Sequence, residues 1–232
     1  MPLKRVDNIM FAHPTVPVIA IDGPSASGKG TVARRIADEY GWVYFDSGLL
    51  YRAVGMIVLA NQVDLSHLDR VDWANIVTQL NPVVMAHPDL KLESVGQLAS
   101  RVAAVEALRT QLLYFQRNLV SKLSSDQFLV MDGRDIGTVI FPDAWLKFYI
   151  TASVGVRAQR RHSEMKKRGV HHTLEEVTKD LEARDFRDLS RQSAPLKLAC
   201  NALLIDTSHL TAQEVFQTLC YFIDAKRKKA FA

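Results

Sequence analysis

The uncharged run Val16-Pro17-Val18-Ile19-Ala20-Ile21 leads through Asp22 into Gly23-Pro24-Ser25-Ala26-Ser27-Gly28-Lys29-Gly30-Thr31, and an amphipathic stretch follows at once. A β-branched run without charge reads as a parallel strand covered on both faces. Val32, Ile36 and Tyr40 then fall on one helical stripe with Ala33 and Ala37 beside it, and Gly41 ends the helix. Strand, glycine-rich turn and helix in that order leave few folds open. The turn would aim successive backbone N–H groups inward, and the helix N-terminus would add its partial positive charge. Such a cradle holds phosphates. A lysine at the place of Lys29 reaches the outer phosphates of a nucleoside triphosphate, and a hydroxyl just beyond it ligates Mg²⁺. Here Gly30 follows the lysine, and the hydroxyl comes one place later, at Thr31. A turn serving chain reversal alone would have no use for Lys29.

Apolar runs predict five strands, at Val16–Ile21, Trp42–Phe45, Phe128–Met131, Leu146–Thr151 and Ala202–Ile205. Helical patterns separate them. That alternation argues for an α/β fold: a five-stranded parallel sheet with helices on both faces. Val105, Leu108, Leu112, Phe115, Leu119 and Leu123 predict one long helix over Val102–Leu123. Thr173 with Glu176, and Thr211 with Glu214, are capping boxes that open two more helices. The last of these should bury Val215, Leu219 and Phe222. It ends in Lys226-Arg227-Lys228-Lys229, a charge that suits a helix C-terminus without any ligand. Two segments interrupt the pattern. Gln62–Ser100, with Pro82 and Pro88, reads as an excursion from the core. Val154–Gly169, rich in Arg and Lys, reads as a mobile helical flap. Both are expected beyond the carboxyl ends of strands, where open α/β sheets place ligands.

Composition adds bounds. A chain of 232 residues accommodates one α/β domain with insertions. The net charge of +4 suits a phosphate-bearing partner and equally a solvated surface. Cys200 and Cys220 lack metal-ligand spacing and read as reduced core thiols of a cytoplasmic protein. No apolar run is long enough to span a bilayer, so no membrane is expected. Residues 1–15 read as a loose extension rather than a signal peptide.

Several kinds of protein use a phosphate loop. A GTPase switch should carry Asn-Lys-x-Asp or Thr-Lys-x-Asp to read guanine; Thr178-Lys179-Asp180 lacks the spacer. Ring and motor ATPases usually end the third strand in Asp-Glu, whereas this one ends in Asp132-Gly133. Phosphoryl transfer to an acceptor instead needs a cleft that excludes water and guanidinium forks on the moving charge. Arg52, Arg109, Arg134, Arg157, Arg160, Arg161, Arg184 and Arg191 all fall near strand ends or in the flap. Any single one also reads as an exposed arginine in a weak helix ion pair. Asp185 and Arg187 are given that surface reading. Arg184, Asp188 and Arg191 share one helix face.

Four motifs together carry a resemblance: Gly23 to Thr31; Asp46-Ser47-Gly48-Leu49-Leu50-Tyr51-Arg52; Asp132-Gly133-Arg134-Asp135-Ile136-Gly137-Thr138-Val139-Ile140-Phe141-Pro142-Asp143; and Arg184-Asp185-x-Arg187-Asp188-x-x-Arg191, with Ala194-Pro195-Leu196 beyond. The chain from Val16 onward resembles the bacterial cytidylate kinases. The resemblance implies the three-layer fold of the phosphate-loop nucleoside monophosphate kinases and transfer of the γ-phosphoryl group of ATP to CMP or dCMP with Mg²⁺. It implies that Gly23, Pro24, Ser25, Ala26, Ser27, Gly28, Lys29, Gly30 and Thr31 hold ATP, with Lys29 on the β- and γ-phosphates and Thr31 near the metal. Ser47, Arg52, Arg134 and Arg191 would hold the monophosphate. Ser100, Arg109 and Asp135 would read the cytosine, and Arg184 and Asp188 the sugar. Arg157 and Arg161, on a lid at 154–172, would close over the transferring group. Lys29, Arg134, Arg157, Arg161 and Arg191 thus form the implied catalytic set.

Base reading has its own logic. Cytosine presents an amino donor at N4 and acceptors at N3 and O2. A carboxylate accepts from the first and a guanidinium donates to the others. Uracil reverses N4 and N3, leaving buried polar groups without partners. Asp135 and Arg109 therefore predict CMP over UMP. The alternative for Arg134-Asp135 is a local ion pair in a turn. The family pattern is departed from at 62–100, where strand pairing and an Ile-Arg-Thr-like stretch are not visible. Leu90-Lys91-Leu92-Glu93-Ser94 is the only remnant, and the base-binding lobe reads as trimmed. A kinase for UMP or another small monophosphate therefore stays open. So does a nucleotide-sensing or RNA-associated module. Against the latter, Lys166-Lys167-Arg168 lacks the interleaved aromatics of a nucleic-acid site. Nothing demands more than a monomer.

Overall fold

Ile19 and Ile21 of the first strand, β1 (Val18–Asp22), point to one side of the sheet, and Val18 and Ala20 to the other. The first pair packs on Ile36 of α1 (Lys29–Tyr40) and on Leu219 of α9 (Ala212–Ala230). The second pair packs on Val120 of α6 (Glu106–Val120) and Ile136. A strand that buries both faces needs apolar residues at every position, which explains why it has no polar alternation. The computed structural model describes residues 16–230; the expected extension at 1–15 lies outside them.

Five strands form one parallel sheet in the order β2-β3-β1-β4-β5, with β2 (Val43–Asp46), β3 (Leu129–Gly133), β4 (Leu146–Thr151) and β5 (Leu203–Asp206). The strands sit a residue or two from the predicted spans. From β1 the chain goes to the far edge for β2, returns to set β3 between β2 and β1, then crosses to the other side of β1 for β4 and β5. The carboxyl end of β1 is thus where the direction of winding changes, the place such sheets hold ligands. Register brings Asp22 opposite Gly133 and Asp46 opposite Asp132 along that edge.

The excursion contains no strand among the described residues. After α2 (Ser47–Ala60) it forms 3₁₀ turns at Leu68–Arg70 and Pro88–Lys91, short helices α3 (Trp73–Thr78) and α4 (Pro82–Met85), then α5 (Glu93–Val102). The strand-like remnant at 90–94 is therefore the end of a 3₁₀ turn and the start of α5. Leu50, Val54, Trp73, Leu98, Leu108 and Leu112 give this lobe its own apolar centre.

The helix expected over Val102–Leu123 is α6, which starts four residues later and ends three earlier. α5 ends at Val102, Val105 is extended (φ −81°, ψ 115°), and α6 starts at Glu106. The apolar spacing continues across the break, and no Gly or Pro marks it. The flap is α7 (Val154–Lys167). It packs on α8 (Leu174–Ser190) through Ala158, Met165, Val177 and Leu181. Both capping boxes form: Thr173 with Glu176, and Thr211 with Glu214.

Three smaller expectations change. Cys200 is exposed and Cys220 half-buried, so neither thiol is a fully buried core residue. Phe222 is only partly buried; Phe216 and Ile223 take the buried places beside Leu219. The basic end of α9 is held rather than free. Arg227 lies over the Tyr40 and Trp42 rings, and Lys226 over Trp145, at the amino end of the sheet. There Tyr40, Trp42 and Phe128 stack, with Trp145 edge-on. No described helix is long and apolar enough to cross a membrane.

Candidate active site

The loop between β1 and α1 begins at Gly23, whose φ is +153° and whose missing Cβ would land on the Ile150 carbonyl oxygen of β4. No side chain fits there. Gly23→Ala should therefore force the loop off β4, with a loss above ~2 kcal/mol, measurable as a lowered urea midpoint. Ala26 (φ +59°) and Gly28 (φ +91°) take left-handed conformations, Gly28 as the N-cap of α1. The Lys29 ammonium is buried and donates to the Pro24 carbonyl at 3.0 Å. Burial and then the Arg134 guanidinium push its pKa well below the ordinary lysine value, while Asp132 pulls the other way. A lysine held under such pressure gains most from an arriving polyanion. Residues 26–31 line a cavity of about 660 Å³ that continues past Arg160 to Thr207 and Leu210.

Three arginines of α7 behave differently from one another. Arg160 donates to the Ser27 carbonyl (3.4 Å), to the Thr207 hydroxyl (2.9 Å) and to the Thr207 carbonyl (2.7 Å), tying α7 to the loop and to the end of β5. Arg157 is buried. It donates to the Ala152 and Ser25 carbonyls and to Asp185 at 2.6 Å, so it braces the loop. Arg161 pairs with Glu93 of α5 and with Glu164, bridging α7 and α5.

Across the cleft, charged side chains form a continuous chain. Arg134, at the end of β3, donates to Asp188 of α8 at 2.8 Å. Arg191 lies 3.8 Å from Asp188 and 3.7 Å from Asp135. Asp135 is buried and pairs with Arg109 of α6. A local Arg134–Asp135 pair is not what forms. Asp22 fixes this segment from beneath. Its Oδ1 accepts from the Ile136 N–H and its Oδ2 from the Gly137 N–H, both at 2.8 Å. Residues 136–140 form a single π turn, a feature that recurs at functional sites. Burial raises the Asp22 pKa to about 7 against the pull of those two bonds.

The remaining expected residues lie around this chain. Ser47 donates to the Asp132 carbonyl at 2.8 Å. Arg52 donates to the Leu90 and Leu92 carbonyls, its guanidinium flat against Gly96. Arg184 is half-buried, with a buried Nε that has no partner; desolvation and then Arg134 lower its pKa to about 10. Ser100 is buried on α5. Thr31 is exposed on the first turn of α1 and lines the loop cavity.

A family model described as cytidylate kinase matches residues 19–225. The chain belongs to the cytidylate kinase family. It is 42% identical over 210 residues to a cytidylate kinase of Paramagnetospirillum magneticum, covering 90% of this chain and 99% of that protein. It is 44% identical over 200 residues to one of Granulibacter bethesdensis, covering 86% and 93%. The fold is shared with a crystal structure of an uncharacterized protein from Eubacterium ventriosum, at a TM-score of 0.52 and 15% identity, covering 90% and 98%. The chain is a kinase of the phosphate-loop class, and the charged cleft above is its candidate active site.

Sequence reasoning missed several residues of this cytidylate kinase cleft. Asp185 and Arg187 are not surface residues of no consequence: Asp185 holds buried Arg157, and Arg187 donates to Ser100 at 3.2 Å. Helical spacing could have found Arg187, three residues after Arg184 and four before Arg191. Asp22, Glu93 and the Tyr44–Asp132 bond (2.7 Å) pair elements far apart in the chain, and no local pattern announces them.

Proposed function

We propose that this cleft moves the γ-phosphoryl group of ATP onto the phosphate of CMP or dCMP, with the donor on the loop and the acceptor between α5, α6 and α8. The observation that carries the reading is the buried Asp135 beside Arg109, a carboxylate and a guanidinium at one wall of the cleft. Asp135 accepts from the cytosine amino group, and Arg109 and Ser100 donate to its acceptor edge. Arg184 and Asp188 hold the sugar. Ser47, Arg52, Arg134 and Arg191 hold the acceptor phosphate. The segment 62–100 acts as the acceptor lobe and 154–172 as the lid, with Arg157 and Arg161 near the transferring group.

A phosphate monoester dianion is already a nucleophile, so the reaction needs no strong general base. Lys29 and the arginines align donor and acceptor and offset the charge that spreads over the transferring oxygens. Mg²⁺ bound by one or two protein oxygens plus substrate phosphates is the usual arrangement for such transfers. The donor set fits that pattern. Thr31 lines the loop cavity, and burial and then the Asp46 charge raise the Asp132 carboxyl to about 6, a strain that a cation relieves. Thr31 and Asp132 would hold the ion, which neutralises the triphosphate when bound. We further read the enzyme as a cytoplasmic monomer, because one chain supplies both halves of the cleft and both of its cysteines are free.

The test is ADP formation from ATP with a panel of monophosphates. CMP and dCMP should support turnover, and UMP should fall about a hundredfold lower in kcat/KM, the consequence of a few kcal/mol of mismatched buried polar groups. Equal use of UMP and CMP would sink the base-reading assignment.

A further inference from the structure

α8 and its C-cap residue place four charged residues at helical spacing: Arg184, Arg187, Asp188 and, at the C-cap, Arg191. Three of them have assigned parts above. The fourth, Arg187, donates through Nε to the Ser100 hydroxyl on α5 at 3.2 Å. Ser100 is buried, Arg187 half-buried, and the bond spans the joint between the acceptor lobe and α8.

A serine hydroxyl carries one proton and two lone pairs, and alone it serves as readily as donor or acceptor. A hydroxyl so free cannot tell cytosine N3, an acceptor, from uracil N3–H, a donor. Arg187 changes that. Its N–H occupies one lone pair, which leaves the hydroxyl proton to find an acceptor elsewhere. Its fixed positive charge also disfavours a second N–H donor approaching the same oxygen.

We propose that Arg187 is a specificity-determining positioning residue: it commits the Ser100 hydroxyl to donating, and so makes Ser100 discriminate against uracil. The inference rests on the reading that Ser100 meets the base. Arg187 itself need not touch the nucleotide.

The experiment measures kcat/KM for CMP and UMP in the parent, in Arg187→Met, in Ser100→Ala and in the double variant. Arg187→Met should narrow the CMP-to-UMP ratio about tenfold, and on the Ser100→Ala background it should leave the ratio where Ser100→Ala put it. A parent with strong CMP preference and an Arg187→Met ratio equal to it would overturn the inference while leaving the base-reading assignment standing. A parent without CMP preference removes both. A narrowing by Arg187→Met that persists undiminished without the Ser100 hydroxyl also overturns it, because the effect would not pass through Ser100. If Arg187→Met fails to fold, Arg187→Leu likewise removes both the charge and the Nε donor. The same narrowing is then expected, and an unchanged ratio is again fatal.

Discussion

Lys29→Met should lower kcat/KM about 10²- to 10³-fold, the scale for removing one charge aimed at a developing oxyanion. The same substitution should show that the lysine is held against the interest of the fold. Lys29 is buried, with Arg134 the chief like charge near it, and its pKa falls from 10.5 to about 7. The unfolded chain keeps the ordinary value. Above pH 10.5 the ammonium is neutral in both states and its contribution is at its best. As the pH falls toward 7, the unfolded chain takes up the proton first, and the folded protein loses stability relative to it. Met cannot titrate. The difference in unfolding free energy between variant and parent should therefore move in favour of Met as pH is lowered from about 10.5 to about 7. Urea midpoints of both proteins across that window measure it, and a difference independent of pH contradicts the picture. Added ATP should stabilise the parent far more than the variant, because the triphosphate is what relieves the crowded cations.

Asp22→Asn is the second large effect. The two carboxylate oxygens each accept one backbone N–H, from Ile136 and Gly137. An amide keeps the shape but offers one oxygen and one N–H₂, so a donor now faces a donor. Losing one charge-assisted bond and leaving a buried N–H without a partner costs roughly 2–4 kcal/mol. The π turn that follows Asp135 is pinned by these bonds, so the displacement reaches the Asp135–Arg109 pair proposed to read the base. Misplacement by about 1 Å can cost a hundredfold in rate. The expected signature is a lowered urea midpoint together with a raised KM for CMP and a nearly unchanged KM for ATP. Parental stability in Asp22→Asn would show that the two bonds contribute nothing.

What the sequence made legible was local. The loop from Gly23 to Thr31, the arginine spacing on α8 and the two capping boxes all lie within a helical turn or a single motif, and each forms where the spacing predicts. β1 and β3 were legible because a strand buried on both faces has no polar alternation to confuse it, and the partly exposed β2, β4 and β5 because each carries a short apolar run. The bend at Ala103–Val105 was not, because α5 and α6 share one apolar periodicity and no breaker residue separates them. Asp185 and Arg187 were hidden for a different reason. A helix ion pair on a surface and a charge buried against another element look alike in one dimension; only the packing of α7 and α5 on α8 tells them apart. Arg161 shows the same limit, since its partner Glu93 belongs to a segment that offered no recognisable motif.

The aromatic stack at the amino end of the sheet has a practical side. Of the chain's three tryptophans, Trp42 and Trp145 sit there, under the cations of α9, while Trp73 lies in the lobe proposed to hold the acceptor and donates to the Leu68 carbonyl. Emission from this protein therefore comes from two separate neighbourhoods. A signal that follows added monophosphate can be ascribed to Trp73 by silencing the other two with phenylalanine, and a signal that follows loss of the last turn of α9 should come from Trp42 and Trp145 instead.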